Sequence, residues 1–458
     1  MTACKWPVVL LALLSFAAPA GAQDISLIRD AEIESMIRDF AKPIWRVAGL
    51  DPNHVEVDLV QDKSLNAFVA GGQRIFINTG TITRADRPNE IIGVLAHETG
   101  HITGGHLART QDAMKSASRV AIVSMLAGLA TIAAGGGDAG AAILLSSPSF
   151  ATRNFLAYSR TQEASADQAG LHFLEETGQS GKGLVDFFKI IASEEAMHEV
   201  NPDPYVRSHP APRDRITTLE REALQSPYYD AKDTPENIEK LKRAKAKIIG
   251  YLEPKLALQR YKEDDPSPEA RYARAFAYYR ESLTDDALTL INGLLKDYPD
   301  DPYFNELKAQ TLFEAGQPEP AGEAIAKAIS VLPKESLFRI YYGQILLAEG
   351  NPDNARTAIT QLTAASRVEK EDPGLWAMLA QAYHIVGNEP MADLSTAEQY
   401  LLTGQTQAAV QLAGRALRGL ERNTPSWWRA QDIVYVAQSN GVGGDRKGQE
   451  RRRNPDHE

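Results

Sequence analysis

The chain has 458 residues, a formal net charge of −11 and a single cysteine, Cys4. This length predicts two or three domains. The excess of acidic residues argues against nucleic acid as a partner, because nucleic-acid binding normally requires a basic surface. Cys4 lies in the first 22 residues, so the rest of the chain has neither a disulfide nor a catalytic thiol.

Residues 1–22 have the composition of a secretory signal peptide. Lys5 supplies a positive charge, residues 8–18 are predominantly apolar, and small residues precede Gln23. The apolar run is too short for a membrane span. We therefore expect cleavage after about Ala22 and export to a bacterial periplasm. Cleavage removes one lysine and no acidic residue, which makes the mature chain more acidic by one unit.

Residues 23–255 are predicted to form the first domain. Apolar residues at helical spacing predict a helix over residues 33–40, whereas residues 55–60 alternate apolar and polar like a half-buried strand. Residues 66–80 read as two strands joined by Gly71-Gly72, which predicts a β-hairpin. Helices and a small sheet are therefore expected together in this domain.

Residues 97–101 read His-Glu-Thr-Gly-His and carry the clearest chemical pattern in the chain. On a helix, residues i and i+4 are about one turn apart, so His97 and His101 project from one face and can bind one Zn²⁺. Glu98 lies about 100° from His97, where it can reach a zinc-bound water without being a ligand. The apolar residues that precede the motif predict a buried helix.

Glu163 is the best candidate for the third ligand. Glu163 and Asp167 are four residues apart at helical spacing, so they share a face. Glu163 can then bind the metal while Asp167 orients a ligand histidine through its other ring nitrogen. A solvated acidic helix face would explain either carboxylate alone, but it explains the pair downstream of the histidine motif less well. We therefore predict a peptidase with one Zn²⁺ per chain.

The remaining histidines are not expected at the site. On a continuous helix, His106 would lie about 140° from His101 and outside the ligand set. Four others lack partners at ligand spacing: His54, His172, His198 and His384.

Two histidines and one carboxylate leave zinc with an open position for water. Zinc lowers the pKa of that water, and Glu98 can accept its proton during attack on a peptide carbonyl. A polar or cationic group near the resulting oxyanion would stabilise it. The candidates for this role lie in one proline-rich segment: Tyr205, His209, Arg213 and Arg215.

Residues 119–150 contain two apolar runs separated by three glycines. The longer run has about 15 residues, fewer than the roughly 20 needed to cross a bilayer. We expect a buried or lid-like pair of helices over the cleft, with membrane contact as the alternative.

From residue 265 the chain repeats itself. Ser282, Gly316 and Gly350 are 34 residues apart, and an alanine follows each by five residues. This period, with a small residue at the turn between helices, is typical of tetratricopeptide repeats. Gly387 and Gly404 follow at irregular steps of 37 and 17 residues, which predicts a degenerate or shortened final unit.

We expect residues 265–440 to form an α-solenoid whose concave face binds polypeptide, although a structural spacer is the alternative. Residues 441–458 are polar and glycine-rich and contain a cluster of arginines. That composition predicts a disordered tail.

Three motifs together resemble the gluzincin family of HtpX and the type I CAAX prenyl protease. They are residues 97–101, the Ser-Arg-Thr-Gln-Glu-Ala-Ser-Ala-Asp sequence that ends at Asp167, and Ser208-His209-Pro210. The repeats resemble the soluble branch of that family. The resemblance implies a mainly α protein: an α+β zincin-type metallopeptidase domain with a small β-sheet, followed by an α-solenoid of tetratricopeptide repeats.

The resemblance also implies residue roles. His97, His101 and Glu163 would be the zinc ligands and Glu98 the catalytic base. The Asn66-Ala67 strand is similar to an edge that borders the cleft, where an extended substrate could pair with its backbone, although a core strand is the alternative.

His209 would lie near the metal by the same resemblance. There it would either assist the oxyanion or occupy the fourth metal position and inhibit the enzyme. An ordinary loop residue is the remaining alternative.

The resemblance further implies quality control or assembly of outer-membrane β-barrel proteins. We predict an endopeptidase that acts on unfolded or misassembled exported proteins, whose repeats recruit substrate or the β-barrel assembly machinery. The alternative is a periplasmic chaperone or adaptor with a latent metal domain, which Glu98 disfavours because an adaptor needs no base. A different hydrolase such as a deformylase is disfavoured by the export signal and the repeats.

Overall fold

A computed structural model describes residues 26–109, 160–197 and 213–441. The predicted signal peptide, the apolar segment at residues 119–150 and the tail after residue 441 lie outside these ranges. Within these ranges, no helix combines the length and the apolar character that a membrane crossing requires.

The N-terminal part combines four strands with eight helices and a further helical stretch at residues 106–109 among the described residues. The strands are β1 (Leu27–Ile28), β2 (Glu56–Val60), β3 (Ala67–Ala70) and β4 (Arg74–Asn78). The helices are α1 (Ala31–Val47), α2 (Thr79–Arg84), α3 (Pro88–Thr103), α4 (described over 160–176), α5 (Lys182–Met197), α6 (Arg213–Ala223), α7 (Pro235–Leu252) and α8 (Pro254–Arg260).

The strands form one sheet in the order β1-β2-β4-β3. The predicted hairpin is confirmed: β3 and β4 are antiparallel, and Gly71 and Gly72 between them have φ of +63° and +101°. The strand predicted at residues 55–60 is confirmed as β2, but its predicted half-burial is wrong, because β2 is an inner strand and is buried from Val57 to Val60. The buried carboxylate of Asp58 is paired with Arg74 of β4 (Nη2 to Oδ1, 2.9 Å).

The core of this part lies between α1, the sheet, α3 and α5. The apolar residues predicted to lie on one face of α1 are buried, as are those that precede the histidine motif in α3. Burial of each such side chain contributes roughly 1.5–3 kcal/mol. The histidine motif is therefore carried by a helix that is fixed inside the core.

The C-terminal part consists of ten helices among the described residues. They are α9 (Pro268–Arg280), α10 (Thr284–Asp297), α11 (Pro302–Glu314), α12 (Pro318–Val331), α13 (Ser336–Leu347), α14 (Pro352–Ala365), α15 (Pro373–Ile385), α16 (Glu389–Leu402), α17 (Thr406–Ala416) and α18 (Pro425–Gly441). Each helix packs on the next. The predicted fold class, an α+β domain followed by an α-solenoid, is confirmed.

The 34-residue period has a backbone cause. Ser282, Gly316 and Gly350 lie at the turns between paired helices and have φ of +59°, +74° and +63°. Gly387 and Gly404 also have positive φ, and the 17-residue step between them spans one helix, α16. Half a period therefore corresponds to one helix and its turn.

The two parts of the chain meet around Lys247 of α7. Its Nζ lies 2.7 Å from Asp30 Oδ2 and 3.3 Å from Glu306 Oε2, and the side chain is buried. Burial opposes the charged form, but the carboxylates around it raise the pKa of Lys247 well above the usual lysine value. A single buried cation thus links the start of α1 to α11 of the repeats.

Arg243, one turn before Lys247, makes a parallel connection. Its Nε lies 2.6 Å from Glu32 Oε1 in α1, and its Nη1 lies 2.6 Å from Asp301 Oδ2 at the start of α11. Farther along the repeats, Arg29 pairs with Glu369 at 2.9 Å. The beginning of α1 and the residues before it are therefore linked to the repeats at the start of α11 and at the turn between α14 and α15.

Replacement of Ser282 by glycine should stabilise the repeats. A non-glycine residue in the left-handed region is strained, so Ser282→Gly should raise the free energy of unfolding by about 0.5–1 kcal/mol. Gly316→Ala, at the equivalent turn, should lower it by about 1 kcal/mol. Urea unfolding of the full chain measures both, and a loss of stability in Ser282→Gly would contradict the strain.

Removal of the Lys247 charge should lower the free energy of unfolding far more than either turn substitution changes it. Lys247→Met leaves Asp30 and Glu306 buried beside an apolar side chain, so the free energy of unfolding should fall by about 3–5 kcal/mol. Lys255→Met, at an exposed lysine of α8, should change it by less than about 0.5 kcal/mol. Equal effects of the two substitutions, measured by thermal and urea unfolding, would show that the link is not structural.

Candidate metal centre

The site forms where α3 and α4 pack closely, because the residues at which their backbones meet are glycines. A Cβ atom at Gly100 would lie 2.7 Å from the carbonyl oxygen of Ala166, and one at Gly170 would lie 3.2 Å from Ala96. The two glycines therefore allow the helix axes to come close. As a result, Glu163 of α4 reaches the histidines of α3.

Three predicted ligands, His97, His101 and Glu163, lie together. The distance between the two histidine Nε2 atoms is 3.1 Å. Glu163 Oε2 lies 3.5 Å from His97 Nε2, and its Oε1 lies 3.4 Å from His101 Nε2. One donor atom from each residue lies within 4.8 Å of the others, so the group can hold a metal ion.

Asp167 contacts the other nitrogen of His97, as the sequence predicts. Its Oδ1 lies 3.0 Å from His97 Nδ1, and both residues are buried. Burial alone would raise the pKa of Asp167, but hydrogen bonds from Arg215 and His97 lower it below its usual value. Asp167 is therefore an anion that can accept the His97 Nδ1 hydrogen and leave Nε2 directed at the ligand group.

Arg215, predicted as an oxyanion stabiliser, contacts the carboxylates of Glu163 and Asp167. Its Nε and Nη2 lie 2.5 and 2.7 Å from the two oxygens of Asp167, and its Nη1 lies 2.9 Å from Glu163 Oε2. The guanidinium also stacks on Phe188, 4.4 Å from the ring centroid. With all three nitrogens directed at carboxylates, Arg215 is placed to orient Glu163 and Asp167.

The other candidates for oxyanion stabilisation are not located by the structure. Tyr205 and His209 lie outside the described residues, and only the backbone of Arg213, the first residue of α6, is described. Their predicted roles stay predictions.

Glu98 lies directly after His97 in α3 and has no exposed surface. A fully buried glutamate next to a metal-ligand candidate is shielded from bulk water. Its helical position, about 100° from His97, remains the reason to assign it a role in proton transfer.

His106 is a residue that the sequence argument missed. It lies outside the metal-ligand group, as predicted, but it is buried and its Nδ1 lies 3.0 Å from His101 Nδ1. A continuous helix would place His106 away from His101, but α3 ends at Thr103, Gly105 has a φ of +61°, and the chain is helical again from His106. The Gly104-Gly105 pair was the available signal. Burial also lowers the pKa of His106.

Asn66 and Ala67 lie where β3 begins at the edge of the sheet. Asn66 is half-buried, and its backbone N–H donates to Thr81 Oγ1 at 2.8 Å. The Ala67 side chain is fully buried, and β3 packs against α3. The Asn66 carbonyl oxygen also accepts from the Asn78 N–H at 2.9 Å, so both backbone groups of Asn66 are already bonded. An extended chain could therefore pair with this edge only through backbone groups from Ala67 onward.

A two-histidine, one-carboxylate group on a His-Glu-Xaa-Xaa-His helix, followed by helical repeats, defines a metalloendopeptidase with a repeat domain. Residues 27–223 match the model of Peptidase family M48. The resemblance predicted from the motifs is thereby confirmed.

Curated relatives match well beyond that domain. The chain is 26% identical over 371 residues to the putative beta-barrel assembly-enhancing protease of Vibrio cholerae serotype O1, covering 79% of this chain and 75% of that protein. It is 24% identical over 368 residues to the beta-barrel assembly-enhancing protease of Escherichia coli K12, covering 78% and 73%.

Among solved structures, a thermophilic TPR protein of Thermus thermophilus is similar over 35% of this chain and 95% of its own, with 20% identity and a TM-score of 0.23.

Metal binding should weaken as the pH falls below about 9. Burial disfavours the cation of His97, but its hydrogen bonds to Asp167 and Glu163 raise its pKa to about 9 in the metal-free protein. A ligand histidine must be neutral, so below that pH the metal displaces a proton and affinity falls by up to about tenfold per pH unit. Calorimetry at pH 7 in buffers of different ionisation enthalpy should show about one proton released from His97.

Asp167→Asn is the matched variant for this experiment. Loss of the carboxylate lowers the pKa of His97, so fewer protons should be released at pH 7 and the pH dependence should shift to lower pH. An affinity that does not change between pH 7 and 9 in the unmodified protein would contradict the assignment.

Proposed function

We propose that this chain is a zinc-dependent endopeptidase of the bacterial periplasm that acts on exported proteins during quality control or assembly of outer-membrane β-barrel proteins. One observation carries the metal assignment: His97 Nε2 and His101 Nε2 lie 3.1 Å apart, and Glu163 directs one oxygen at each of them, Oε2 at 3.5 Å from His97 and Oε1 at 3.4 Å from His101. Tetrahedral zinc with bonds of about 2.0–2.1 Å requires separations of about 3.3–3.4 Å. The donors therefore fit one zinc ion with small adjustments.

The donor set also favours zinc by its chemistry. Two imidazoles and one carboxylate are the ligands of catalytic zinc in many peptidases, and they leave a fourth position open. When bound, the ion supplies Lewis acidity, which polarises a peptide carbonyl and lowers the pKa of water.

Glu98 supplies the base in this proposal. Its carboxylate accepts a proton from water as the water oxygen bonds to the peptide carbon. It then donates that proton to the amine nitrogen as the C–N bond breaks. The burial of Glu98 supports this role, because a shielded carboxylate retains the proton between the two steps.

Asp167 and Arg215 position the ligands. Asp167 accepts from His97 Nδ1, and Arg215 bridges Asp167 to Glu163. The oxyanion would then be stabilised from the segment that contains Tyr205, His209 and Arg213. His209 is proposed either to assist there or to inhibit by occupying the fourth position.

Substrate is proposed to bind as an added strand along β3, at the predicted residues Asn66 and Ala67, with backbone pairing that begins at Ala67 because the backbone groups of Asn66 are already bonded. Support comes from the edge position of β3 and its packing against α3, the helix that carries His97 and His101. Backbone pairing accepts many side chains, which suits an enzyme for unfolded proteins.

The repeats are proposed to recruit substrates or the β-barrel assembly machinery. The names of the Vibrio cholerae and Escherichia coli relatives support this role. The predicted signal peptide supports the periplasmic location. Recruitment must use surfaces other than those already occupied by Arg29, Asp30 and Glu32.

Glu98→Gln should separate metal binding from catalysis. The substitution leaves the three ligands intact, so zinc content should stay near one per chain while cleavage of an unfolded outer-membrane protein falls by about 10²–10⁴-fold. His97→Ala should lose both. His172→Ala, at an exposed histidine of α4, serves as the control and should change neither. Metal analysis and a cleavage assay measure these outcomes.

The same variant tests the alternative of a chaperone or adaptor with a latent metal domain. In cells that lack the protein, Glu98→Gln should fail to restore outer-membrane protein assembly, whereas an adaptor would restore it. Full restoration by Glu98→Gln would favour the adaptor and reject the peptidase.

A further inference from the structure

The imidazole of His106 contacts the ring of His101 on the side away from the ligand group. His106 Nδ1 lies 3.0 Å from His101 Nδ1, whereas His101 Nε2 lies 3.1 Å from His97 Nε2. The rings of His101 and His106 are nearly perpendicular, with an interplanar angle of 80° and centroids 5.0 Å apart. His101 is therefore contacted at both of its nitrogens by different partners.

The chain is built to place His106 there. Gly105 turns the backbone back after α3, and a Cβ atom at Gly104 would lie 2.4 Å from His106 Nε2. Any other residue at position 104 would displace the His106 ring. Gln162 Nε2 donates to the His106 carbonyl oxygen at 3.2 Å, which ties this turn to the residue before Glu163.

We propose that His106 is a positioning residue that fixes the ring orientation and tautomer of His101 for metal binding. The inference rests on the proposed zinc site. An imidazole that binds a metal through Nε2 carries its hydrogen on Nδ1, and a partner that accepts this hydrogen holds the ring in place. His106 accepts it with the lone pair of Nδ1, and its own ring hydrogen is then on Nε2.

The same relation holds at the other histidine ligand. His97 Nδ1 lies 3.0 Å from Asp167 Oδ1, the same separation as between His101 and His106. Each histidine of the pair therefore has its own acceptor, one a carboxylate and one a neutral imidazole.

Two substitutions separate hydrogen bonding from packing. His106→Leu places an apolar side chain of similar size in this buried position and removes the hydrogen-bond acceptor. His106→Asn places an amide oxygen near the position of Nδ1 and can accept the same hydrogen. A packing role would make asparagine the worse replacement, whereas a positioning role makes leucine the worse one.

The test uses the full chain and zinc alone as the probe. By competition with a chromogenic chelator, His106→Leu should bind zinc about 10–100-fold more weakly than the unmodified protein. His106→Asn should recover most of that loss, and His172→Leu, at an exposed histidine, should lose nothing. In the cobalt-substituted protein, the visible absorption bands should shift with leucine and return with asparagine.

Wild-type zinc affinity and an unchanged cobalt spectrum in His106→Leu would overturn the inference. Equal losses in the leucine and asparagine variants would overturn it too, because they indicate packing alone. Zinc binding by His97→Ala as tight as that of the unmodified protein would instead reject the proposed zinc site. That outcome is distinguishable, since it does not depend on residue 106.

Discussion

The close approach of α3 and α4 at Gly100 and Gly170 is the contact on which the metal centre depends. Side chains at either glycine would push the helices apart, because a Cβ would meet the backbone of the facing helix. Glu163 reaches His97 and His101 from the facing helix, so its distance to them depends on the separation of the two helices. The two glycines contribute no ligand themselves, but they set the distance between α3 and α4 at which the three ligands meet.

That approach buries the carboxylates of Glu163 and Asp167, and the structure compensates both. Glu163 and Asp167 are almost fully buried, and Arg215 lies against both carboxylates. A buried carboxylate without such a partner would be protonated and a poor ligand. The two histidines receive different support, since a carboxylate is the partner of His97 and a buried imidazole is that of His101. Burial lowers the pKa of His97, but its hydrogen bonds with Asp167 and Glu163 raise it to about 9, so a proton on His97 competes with the metal.

Patterns that depend on local geometry were predictable from the sequence. The spacing of His97 and His101, and of Glu163 and Asp167, follows from the helical repeat alone, as does the 34-residue period of the solenoid. The contact of His106 was not predicted, because it requires knowing that α3 ends at Thr103. Arg215 was singled out, but its partners depend on how α6 packs against α4. The burial of β2 was missed since its charge is neutralised by a residue on another strand.

The junction between the two parts of the chain could not be predicted from local sequence patterns either, because it joins residues far apart in sequence. Lys247 sits among carboxylates from α1 and α11, and Arg243 repeats the arrangement one turn away. Separation of the repeats from α1 would break these ion pairs and return their charged groups to water. The repeats are therefore held in one orientation relative to α1. Since α1 also packs against α3, a protein bound by the repeats would be presented to the metal centre at a constant distance and angle. Recruitment and cleavage would then be coupled by rigid geometry.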